Sequence, residues 1–253
     1  MDTNMAHDHD EVTQICLLAG KIILQNGGET HRVEDTMFRI ATSYGYANSH
    51  NFVTPTGIIF AIDGSAPTTR LFRISERSTD LQKVTMVNHI SRQISNGELS
   101  TAEAHRMLLK IERSNLAYPT WFQMIAAAVA SGCFAIMFRG GWQDFLPSVL
   151  AGGSGFAFMV FLHRLVRIKF VAELLASIVI GTVSGLCVKY GLGQDLDKII
   201  IGSVMPLVPG LLITNAVRDL MAGHLVSGLS KGAEAFLTAF AIGSGIAVVL
   251  WFY

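Results

Sequence analysis

The sequence predicts an α-helical polytopic membrane protein with five spans, preceded by an N-terminal α+β domain. Charged residues make up only 15% of the 253 residues, whereas soluble domains usually contain about 25%. The charge is also unevenly distributed, since residues 1–118 hold 11 of the 19 lysines and arginines and 13 of the 19 acidic residues. We therefore predict a soluble domain over residues 1–118 and a transmembrane domain over residues 119–253.

Four helices are predicted in the N-terminal domain. Apolar residues recur at helical spacing over residues 11–26 and 29–46, with the Gly27–Gly28 pair between them as a helix stop. Two further helices are expected over residues 79–95 and 100–114, and Ser100 has the side chain of an N-cap.

A small sheet is predicted between the second and third of these helices. Residues 51–75 are rich in β-branched and aromatic side chains, and they contain turn residues at Asp63–Gly64 and Pro67. This pattern is typical of short strands joined by tight turns. The N-terminal domain is therefore of the α+β class.

Five apolar stretches of the second half approach the length of a membrane span, which is about 20 residues. The second stretch is the weakest because "AGGSG" occupies residues 151–155, but no charge precedes His163 within it. The predicted spans are residues 120–138, 146–163, 170–189, 198–217 and 235–253.

Small residues recur at four-residue intervals in three of these spans. Such spacing lets helix backbones approach closely in lipid. Packing within one bundle is the plainer explanation, and an interface between subunits is the alternative. The residues are Ala128 and Gly132 in the first span, Ser177, Gly181 and Gly185 in the third, and Ala239, Gly243 and Ala247 in the fifth.

The distribution of lysine and arginine predicts the orientation, because short cytoplasmic loops are enriched in both. The loops on one side carry five of these residues, against three on the other, and the charged N-terminal domain lies on the richer side. We therefore expect a cytoplasmic N-terminus and an external C-terminus. The five are Arg164, Arg167, Lys169, Arg218 and Lys231, and the three are Arg139, Lys189 and Lys198.

The fourth span contains residues that are poorly suited to a helix. Pro206, Pro209 and Gly210 interrupt the apolar run "IIIGSVMPLVPGLLITNAVRDL" near its centre. A proline removes a backbone hydrogen bond and clashes with the preceding turn. Irregular backbone at this depth persists only where it is buried in protein or lines a cavity, as in the broken helices of secondary transporters. A plain proline kink is the alternative.

Two polar clusters stand out in the N-terminal domain. The sequence "GGETHRVED" at residues 27–35 is either an ordinary charged helix start, with His31 and Asp35 as an i, i+4 pair, or a ligand or metal site. The sequence "HDHD" at residues 7–10 contains metal-ligand types, but we interpret it as a solvated tail and predict no metal site. The candidate functional residues of "GGETHRVED" are Gly28, Glu29, Thr30, His31, Arg32 and Glu34.

A third polar group lies at the end of the fourth span. Asn215, Arg218 and Asp219 are spaced i, i+3, i+4 and therefore share one helix face. A cation placed below a broken helix suits a carboxylate substrate, although membrane-border charges often serve only as anchors. Glu173, Asp219 and Glu234 lie at the predicted cytoplasmic border of the spans, and we regard them as candidates for ion coupling.

The motifs "NGGETHRVED" and "MPLVPGLLITNAVRDLMAGHLVSGLSKGAEAF" resemble the threonine/serine exporter family, in order and spacing over nearly the whole chain. The chain is most similar to the split form, a half-length protein with a cytoplasmic domain and five spans. The motif residues that this resemblance carries over are Gly28, Glu29, Thr30, Arg32, Glu34, Pro206, Pro209, Gly210, Asn215, Arg218, Asp219, Gly223, Gly228 and Glu234.

This resemblance implies a subunit of a secondary exporter in the bacterial inner membrane. It implies export of small amino acids or of a dicarboxylate such as succinate, with a separate small membrane subunit that supplies the second half. We expect no cofactor and no enzymatic activity, and a homo-oligomer is compatible with the sequence. A net charge of zero gives no electrostatic basis for nucleic-acid binding.

Two other functions remain open at this stage. One is a membrane-anchored hydrolase that uses the "GGETHRVED" cluster, although no motif names a nucleophile. The other is a ligand-sensing protein in which the same cluster binds a small molecule. Five spans rich in small residues exceed what an anchor requires, so we favour the exporter.

Overall fold

The computed structural model describes residues 2–63, 68–165 and 169–253. Most of the turn predicted around Asp63–Gly64 and Pro67 therefore lies outside the described residues, as does Arg167, which entered the orientation prediction. The described chain forms two compact units. The first contains Met1–Ala117 and Leu211–Gly232, and the second contains Tyr118–Gly210 and Ala233–Tyr253.

The first unit begins with a longer helix than the sequence predicts. Helix α1 starts at Asp2, not at residue 11, so "HDHD" lies within it. His9 is buried and packs edge-on against Tyr46, with ring centroids 5.2 Å apart, and Asp10 accepts a hydrogen bond of 2.8 Å from Arg70. The interpretation of this segment as a solvated tail is therefore wrong for His9 and Asp10. The side chains of His7 and Asp8 are outside the description.

The remaining helices of the N-terminal part lie close to their predicted positions. Ser100 is the N-cap of α4, as predicted, and forms a capping box with Glu103. Gly27 has a φ of 92°, a conformation that favours glycine, and it follows the end of α1. The helices are α1 Asp2–Gln25, α2 Thr30–Ser43, α3 Leu81–Ser95 and α4 Thr101–Arg113.

An antiparallel three-stranded sheet lies between α2 and α3 in the chain. The strands are β1 Ser49–Thr54, β2 Gly57–Ile62 and β3 Thr68–Arg73, in the order β1-β2-β3. Side chains of β2 alternate between buried and more exposed, as expected for a sheet with one face on a core. The buried face of β2 joins apolar residues of α1 and α2 in one core, which includes Ile58, Phe60, Ile62, Ile15, Ile22 and Met37.

The second unit consists of long apolar helices. Four helices are long and apolar enough to cross a membrane, and a fifth span is counted if the bent pair described below is one span. The last helix starts in the first unit and continues into the second. The four are α5 Thr120–Met137, α6 Trp142–Leu165, α7 Lys169–Lys189 and α10 Leu225–Phe252.

The chain between α7 and α10 is broken where the prolines lie. Helix α8 spans Leu196–Val204, and a 3₁₀ turn, Met205–Leu207, contains Pro206. Val208 is extended, as the residue before a proline prefers to be, and α9 spans Gly210–Met221. The two helical segments are bent by 64°. The helix is therefore interrupted, and not merely kinked, at the residues singled out in the sequence.

Glycines allow close helix packing within the second unit. The predicted stripe of Ser177, Gly181 and Gly185 is buried on α7. On α10 the stripe of Ala239, Gly243 and Ala247 is instead exposed in the described chain. Helix α10 approaches α7 through Gly245, where an added Cβ would lie 2.5 Å from the carbonyl oxygen of Leu174. The closest contact is therefore on a different face of α10 from the one that the four-residue spacing predicts.

Two glycines of α10 provide a matched test of this packing. We expect Gly245→Leu to destabilise the protein by about 1–3 kcal/mol, because the larger side chain forces α10 away from α7. Gly243 has no atom within 4 Å of an added Cβ, so Gly243→Leu should change stability by no more than about 0.5 kcal/mol. Thermal unfolding of the two variants in detergent measures the difference. Equal melting temperatures would contradict the packing described here.

Candidate functional site

The candidate site lies in the first unit, where the loop after α1 and the start of α2 meet α9 and the start of α10. Gly28 lies in this loop against Ile23, and an added Cβ would be 2.9 Å from the Ile23 carbonyl oxygen. Only glycine therefore fits at this position without a shift of the backbone. The tight loop places Glu29 and Thr30 directly at the start of α2, where they face α9. We call this group of residues the α2–α9 cluster: Gly27, Gly28, Glu29, Thr30, Arg32, Glu34, Asn215, Arg218, Asp219, His224 and Lys231.

Asp219 caps helix α2 from a distant part of the chain. Its Oδ1 accepts a hydrogen bond of 2.9 Å from the backbone N–H of Thr30, and its Oδ2 accepts one of 2.9 Å from the Thr30 hydroxyl. Glu29, the local N-cap residue, makes no side-chain cap. The carboxylate of Asp219 therefore supplies both the missing acceptor and a negative charge at the positive end of the helix.

Lys231 neutralises this buried carboxylate. Its Nζ lies 2.7 Å from Oδ2 of Asp219, and the side chains are 5% and 0% exposed, respectively. The same ammonium donates to the carbonyl oxygen of Gly28 at 3.5 Å and to the hydroxyl of Thr30 at 3.4 Å. A buried charge pair is tolerated when its remaining hydrogen-bonding groups are satisfied, and this one meets that condition.

Glu29 is held by two arginines. Its Oε1 forms a short ion pair with Nη1 of Arg218, and its Oε2 lies 2.7 Å from Nε of Arg32. Burial favours the neutral form of Glu29, but the hydrogen bond from Arg218 and the charge of Arg32 outweigh it, so the pKa is lowered below its ordinary value. The arginines differ from Lys231 in being accessible, since the side chain of Arg218 is 61% exposed.

Three further contacts hold the loop and α2 in place. Nδ2 of Asn215 donates to the carbonyl oxygen of Gly27 at 2.9 Å. Oε1 of Glu34 accepts a hydrogen bond of 3.0 Å from the backbone N–H of Val53, and its Oε2 lies 3.8 Å from Nε2 of His224. Burial raises the pKa of Glu34 despite these partners. The cluster thus also includes the edge of the sheet.

The structure brings together most residues singled out from the sequence. Gly28, Glu29, Thr30, Arg32 and Glu34 meet Asn215, Arg218 and Asp219 through the contacts above. His31 lies at the edge of the cluster, with Nδ1 4.0 Å from Oδ1 of Asp219 and an exposed side chain. The i, i+4 partner of Asp35 is Arg39, at 2.7 Å, and not His31.

The other candidate residues lie in the second unit. Pro206, Pro209 and Gly210 form the break between α8 and α9. Glu234 lies 3.2 Å from Nζ of Lys169, and Glu173 lies 3.9 Å from the same nitrogen. These two carboxylates therefore share a lysine in the second unit.

Sequence analysis missed Lys231 as a site residue, and it missed His224. Lys231 appeared only as one of the basic loop residues. A usable signal was present, because Lys231 is a lone cation between the apolar positions of "HLVSGLSKGAEAF". A cation in such a context is generally paired with an acidic residue.

Two motif glycines shape the turn between α9 and α10. Gly223 has a φ of 86°, a conformation that glycine adopts without strain. An added Cβ at Gly228 would lie 2.6 Å from Cγ of Leu220 and 3.0 Å from the carbonyl oxygen of Ala216. These glycines let α10 fold back against α9, which places Lys231 beside Asp219.

The chemistry of the cluster is that of charge recognition. Asp219, Lys231 and Thr30 form a closed buried set, whereas Arg218 and Arg32 present guanidinium groups that already bind a carboxylate. Within the described ranges, no group of three or more His, Cys, Asp or Glu residues is arranged to hold a metal ion. The arrangement therefore favours binding of an anion that competes with, or resembles, the carboxylate of Glu29.

The comparisons with known proteins point to one protein family. The family model described as "Putative threonine/serine exporter" matches residues 14–253. The chain is 27% identical over 246 residues to the "Probable succinate transporter subunit YjjP" of Klebsiella aerogenes, a match that covers 95% of this chain and 94% of that protein. The protein of the same name from Escherichia coli is 26% identical over 248 residues, with the same coverage of both chains.

A longer relative is matched over only part of its length. The "Threonine/serine exporter" of Corynebacterium glutamicum is 23% identical over 250 residues, which are 94% of this chain and 51% of that protein. No solved structure matches the chain.

The pair of Asp219 and Lys231 can be tested by stability measurements. We expect Asp219→Ala to destabilise the protein by about 3–5 kcal/mol, because it leaves the Lys231 ammonium buried and unpaired. The double variant Asp219→Asn/Lys231→Met should recover most of that loss, since it removes both charges together. Chemical unfolding of the full chain in detergent provides the free energies.

The exposed pair of Asp35 and Arg39 is the control for this experiment. Asp35→Ala should cost no more than about 0.5 kcal/mol, because exposed ion pairs on a helix contribute little. A loss for Asp219→Ala as small as that of Asp35→Ala would show that Asp219 does not hold α2.

Proposed function

The chain belongs to the threonine/serine exporter family, and on this basis we propose that it is one subunit of a secondary-active exporter in the bacterial inner membrane. The observation that carries the proposal is the match to relatives named as transporter subunits, of which the chain covers 94%. The longer exporter is covered over only 51% of its length. A separate small membrane subunit would then supply the part of the transporter to which the rest of the longer protein corresponds.

We further propose that the exported molecule carries at least one carboxylate, as small amino acids and small dicarboxylates both do. The support is the pair of arginines that hold the carboxylate of Glu29 in the α2–α9 cluster. Guanidinium groups match the planar geometry of carboxylates and remain charged at any physiological pH. The side chain of Arg218 is 61% exposed, so a carboxylate in solution can reach it.

For the membrane topology we propose five spans, with the N-terminus in the cytoplasm and the C-terminus outside. In this arrangement α8 and α9 form one interrupted span. The surface of α9 supports this assignment, since Leu211, Ile213 and Val217 are exposed while Asn215 and Asp219 are buried. The exposed cation Arg218 lies near the end of the helix. An exposed apolar face of this kind is suited to contact with lipid.

Helix α9 also suggests how the cluster and the break act together. Gly210 begins α9 at the break, and Arg218 and Asp219 lie near its other end. A helix of 12 residues spans about 18 Å and moves as a unit. We propose that a substrate carboxylate which replaces Glu29 at Arg218 loosens one end of α9, so that the other end moves at the break. Irregular backbone there would then face the transport path.

The family and the relatives indicate a transporter and not an enzyme. The hydrolase alternative therefore receives no support from the comparisons. Ligand binding by the N-terminal part remains compatible with transport, because a transporter can carry a sensing site as well as a transport path.

Efflux measurements test the proposed function directly. Cells loaded with labelled threonine, serine or succinate would express this chain alone, the small subunit alone, or both. We expect efflux of one of these compounds only when both chains are present. Full efflux by this chain alone would contradict the need for a partner. No efflux of any carboxylate by the pair would contradict the exporter proposal.

The break supplies a second test in reconstituted vesicles. Pro206→Ala/Pro209→Ala restores the missing backbone donors and removes the clash, so a continuous helix becomes favourable. We expect initial flux per folded molecule to fall at least about tenfold, while the melting temperature stays the same or rises.

Pro147 is the matched control, since it lies inside the uninterrupted helix α6. Pro147→Ala should leave the flux per folded molecule close to that of the parent. A double variant at Pro206 and Pro209 that transports as well as the parent would show that the break is only structural.

A further inference from the structure

We propose that a cleft between α2 and α3 binds a small dicarboxylate, and that the bound anion competes with Glu29 for Arg32. The chemical class of this ligand rests on the proposed function, whereas the location of the site rests on the structure of the first unit alone. Neither Asp219 nor Lys231 lines this cleft, although its residue His31 lies 4.0 Å from Asp219.

The cleft is formed by one face of each helix. Its volume is about 310 Å³, and its walls include His31, Arg32 and Arg39 from α2 and Asn88, Ser91 and Arg92 from α3. On α2 the lining residues Arg32, Asp35, Thr36 and Arg39 are spaced i, i+3, i+4 and i+7, and on α3 Asn88, Ser91 and Arg92 are spaced i, i+3 and i+4. Each set therefore lies along one face of its helix. The volume lies at the low end of the range for ligand pockets, which favours a compact ligand.

The charge of the cleft favours an anion. Three arginines line it, and its one carboxylate, Asp35, is paired with Arg39 at 2.7 Å. Three positive charges and one negative charge leave a net charge of +2 in the lining. The other described lining residues, His31, Thr36, Asn88 and Ser91, are polar. A small polar anion therefore satisfies the walls better than an apolar ligand does.

The geometry of Arg32 indicates a carboxylate in particular. Arg32 already binds one carboxylate, since its Nε lies 2.7 Å from Oε2 of Glu29. Its guanidinium is therefore positioned to bind a carboxylate. Arg92 lies on the opposite helix. A ligand with two carboxylates can therefore bind Arg32 with one group and Arg92 with the other. A single phosphate has comparable charge but presents its oxygen atoms around one centre.

An anion bound in the cleft would affect the ion pair between Glu29 and Arg218 of α9. Glu29 binds Arg32 and Arg218 at the same time, and Arg218 is part of α9. An anion that binds Arg32 weakens the hold of that arginine on Glu29, and binding at the two sites is then coupled through the same carboxylate. The cleft is thus placed to sense the concentration of a dicarboxylate and to report it to α9.

Equilibrium binding to the purified full chain tests this proposal. Isothermal titration with succinate at constant ionic strength should show a site whose affinity depends on Arg92, with weaker binding of acetate and of inorganic phosphate. Arg92→Ala should weaken succinate binding about tenfold or more, because it removes one charge-assisted contact. Glu29→Gln should strengthen succinate binding several-fold, since it frees Arg32 from its internal partner.

Arg113→Ala is the matched control, because Arg113 is in the last turn of α4 just as Arg92 is in the last turn of α3, and it does not line the cleft. Equal weakening by Arg92→Ala and Arg113→Ala would overturn the proposal, as would tighter binding of phosphate than of succinate. A melting curve for each variant confirms folding, and Arg92→Lys provides a second, milder change that should bind with intermediate affinity.

The outcome is independent of the transport assay. Succinate binding that Arg92→Ala leaves unchanged, in a chain that supports efflux, would overturn the cleft and leave the exporter intact. Binding that follows the expected order of variants, in a pair that transports nothing, would support the cleft and contradict the exporter.

Discussion

The first unit depends on the hydrogen bonds and the ion pair of the buried Asp219 carboxylate. This carboxylate accepts from the backbone and hydroxyl of Thr30 and pairs with Lys231, and it is fully buried. The start of α2, the end of α9 and the first turns of α10 are therefore held at one point. Because an unpaired charge in this position would be costly, each of these elements requires the other two. The tight loop at Gly28 and the turn at Gly223 are the backbone conditions that let them meet.

The α2–α9 cluster combines a buried ion pair with two partly exposed arginines. Asp219 and Lys231 are shielded from water, so their interaction is strong and does not depend on solution anions. Glu29 and its two arginines lie beside them, but Arg218 and Arg32 are 61% and 41% exposed. The two guanidinium groups are therefore accessible to anions in solution, whereas Glu29 is buried. The proposed carboxylate ligand would compete with Glu29 at these arginines, and the pair of Asp219 and Lys231 would keep the loop and α9 together.

The helix is interrupted before α9. The 3₁₀ turn at Met205–Leu207 and the extended Val208 separate α8 from α9. Proline imposes this geometry because it cannot donate a backbone hydrogen bond and restricts the residue before it. Glycine has the opposite use on α10, where Gly245 permits close contact with α7.

The sequence by itself determined the elements that depend on local or periodic patterns. The long apolar helices, the interruption at Pro206 and Pro209, the small sheet and the capping box at Ser100 all follow from neighbours within a few residues. The resemblance also named most residues of the cluster. Only the tertiary structure decided how they pair: Asp219 binds Thr30 across 189 positions of the chain, and Arg218 binds Glu29 rather than the adjacent Asp219. The tertiary structure also decided that Ala239, Gly243 and Ala247 are exposed and that Lys231 pairs with Asp219. Helical periodicity states which residues share a face, but the partner of that face is set by packing between segments that are remote in sequence.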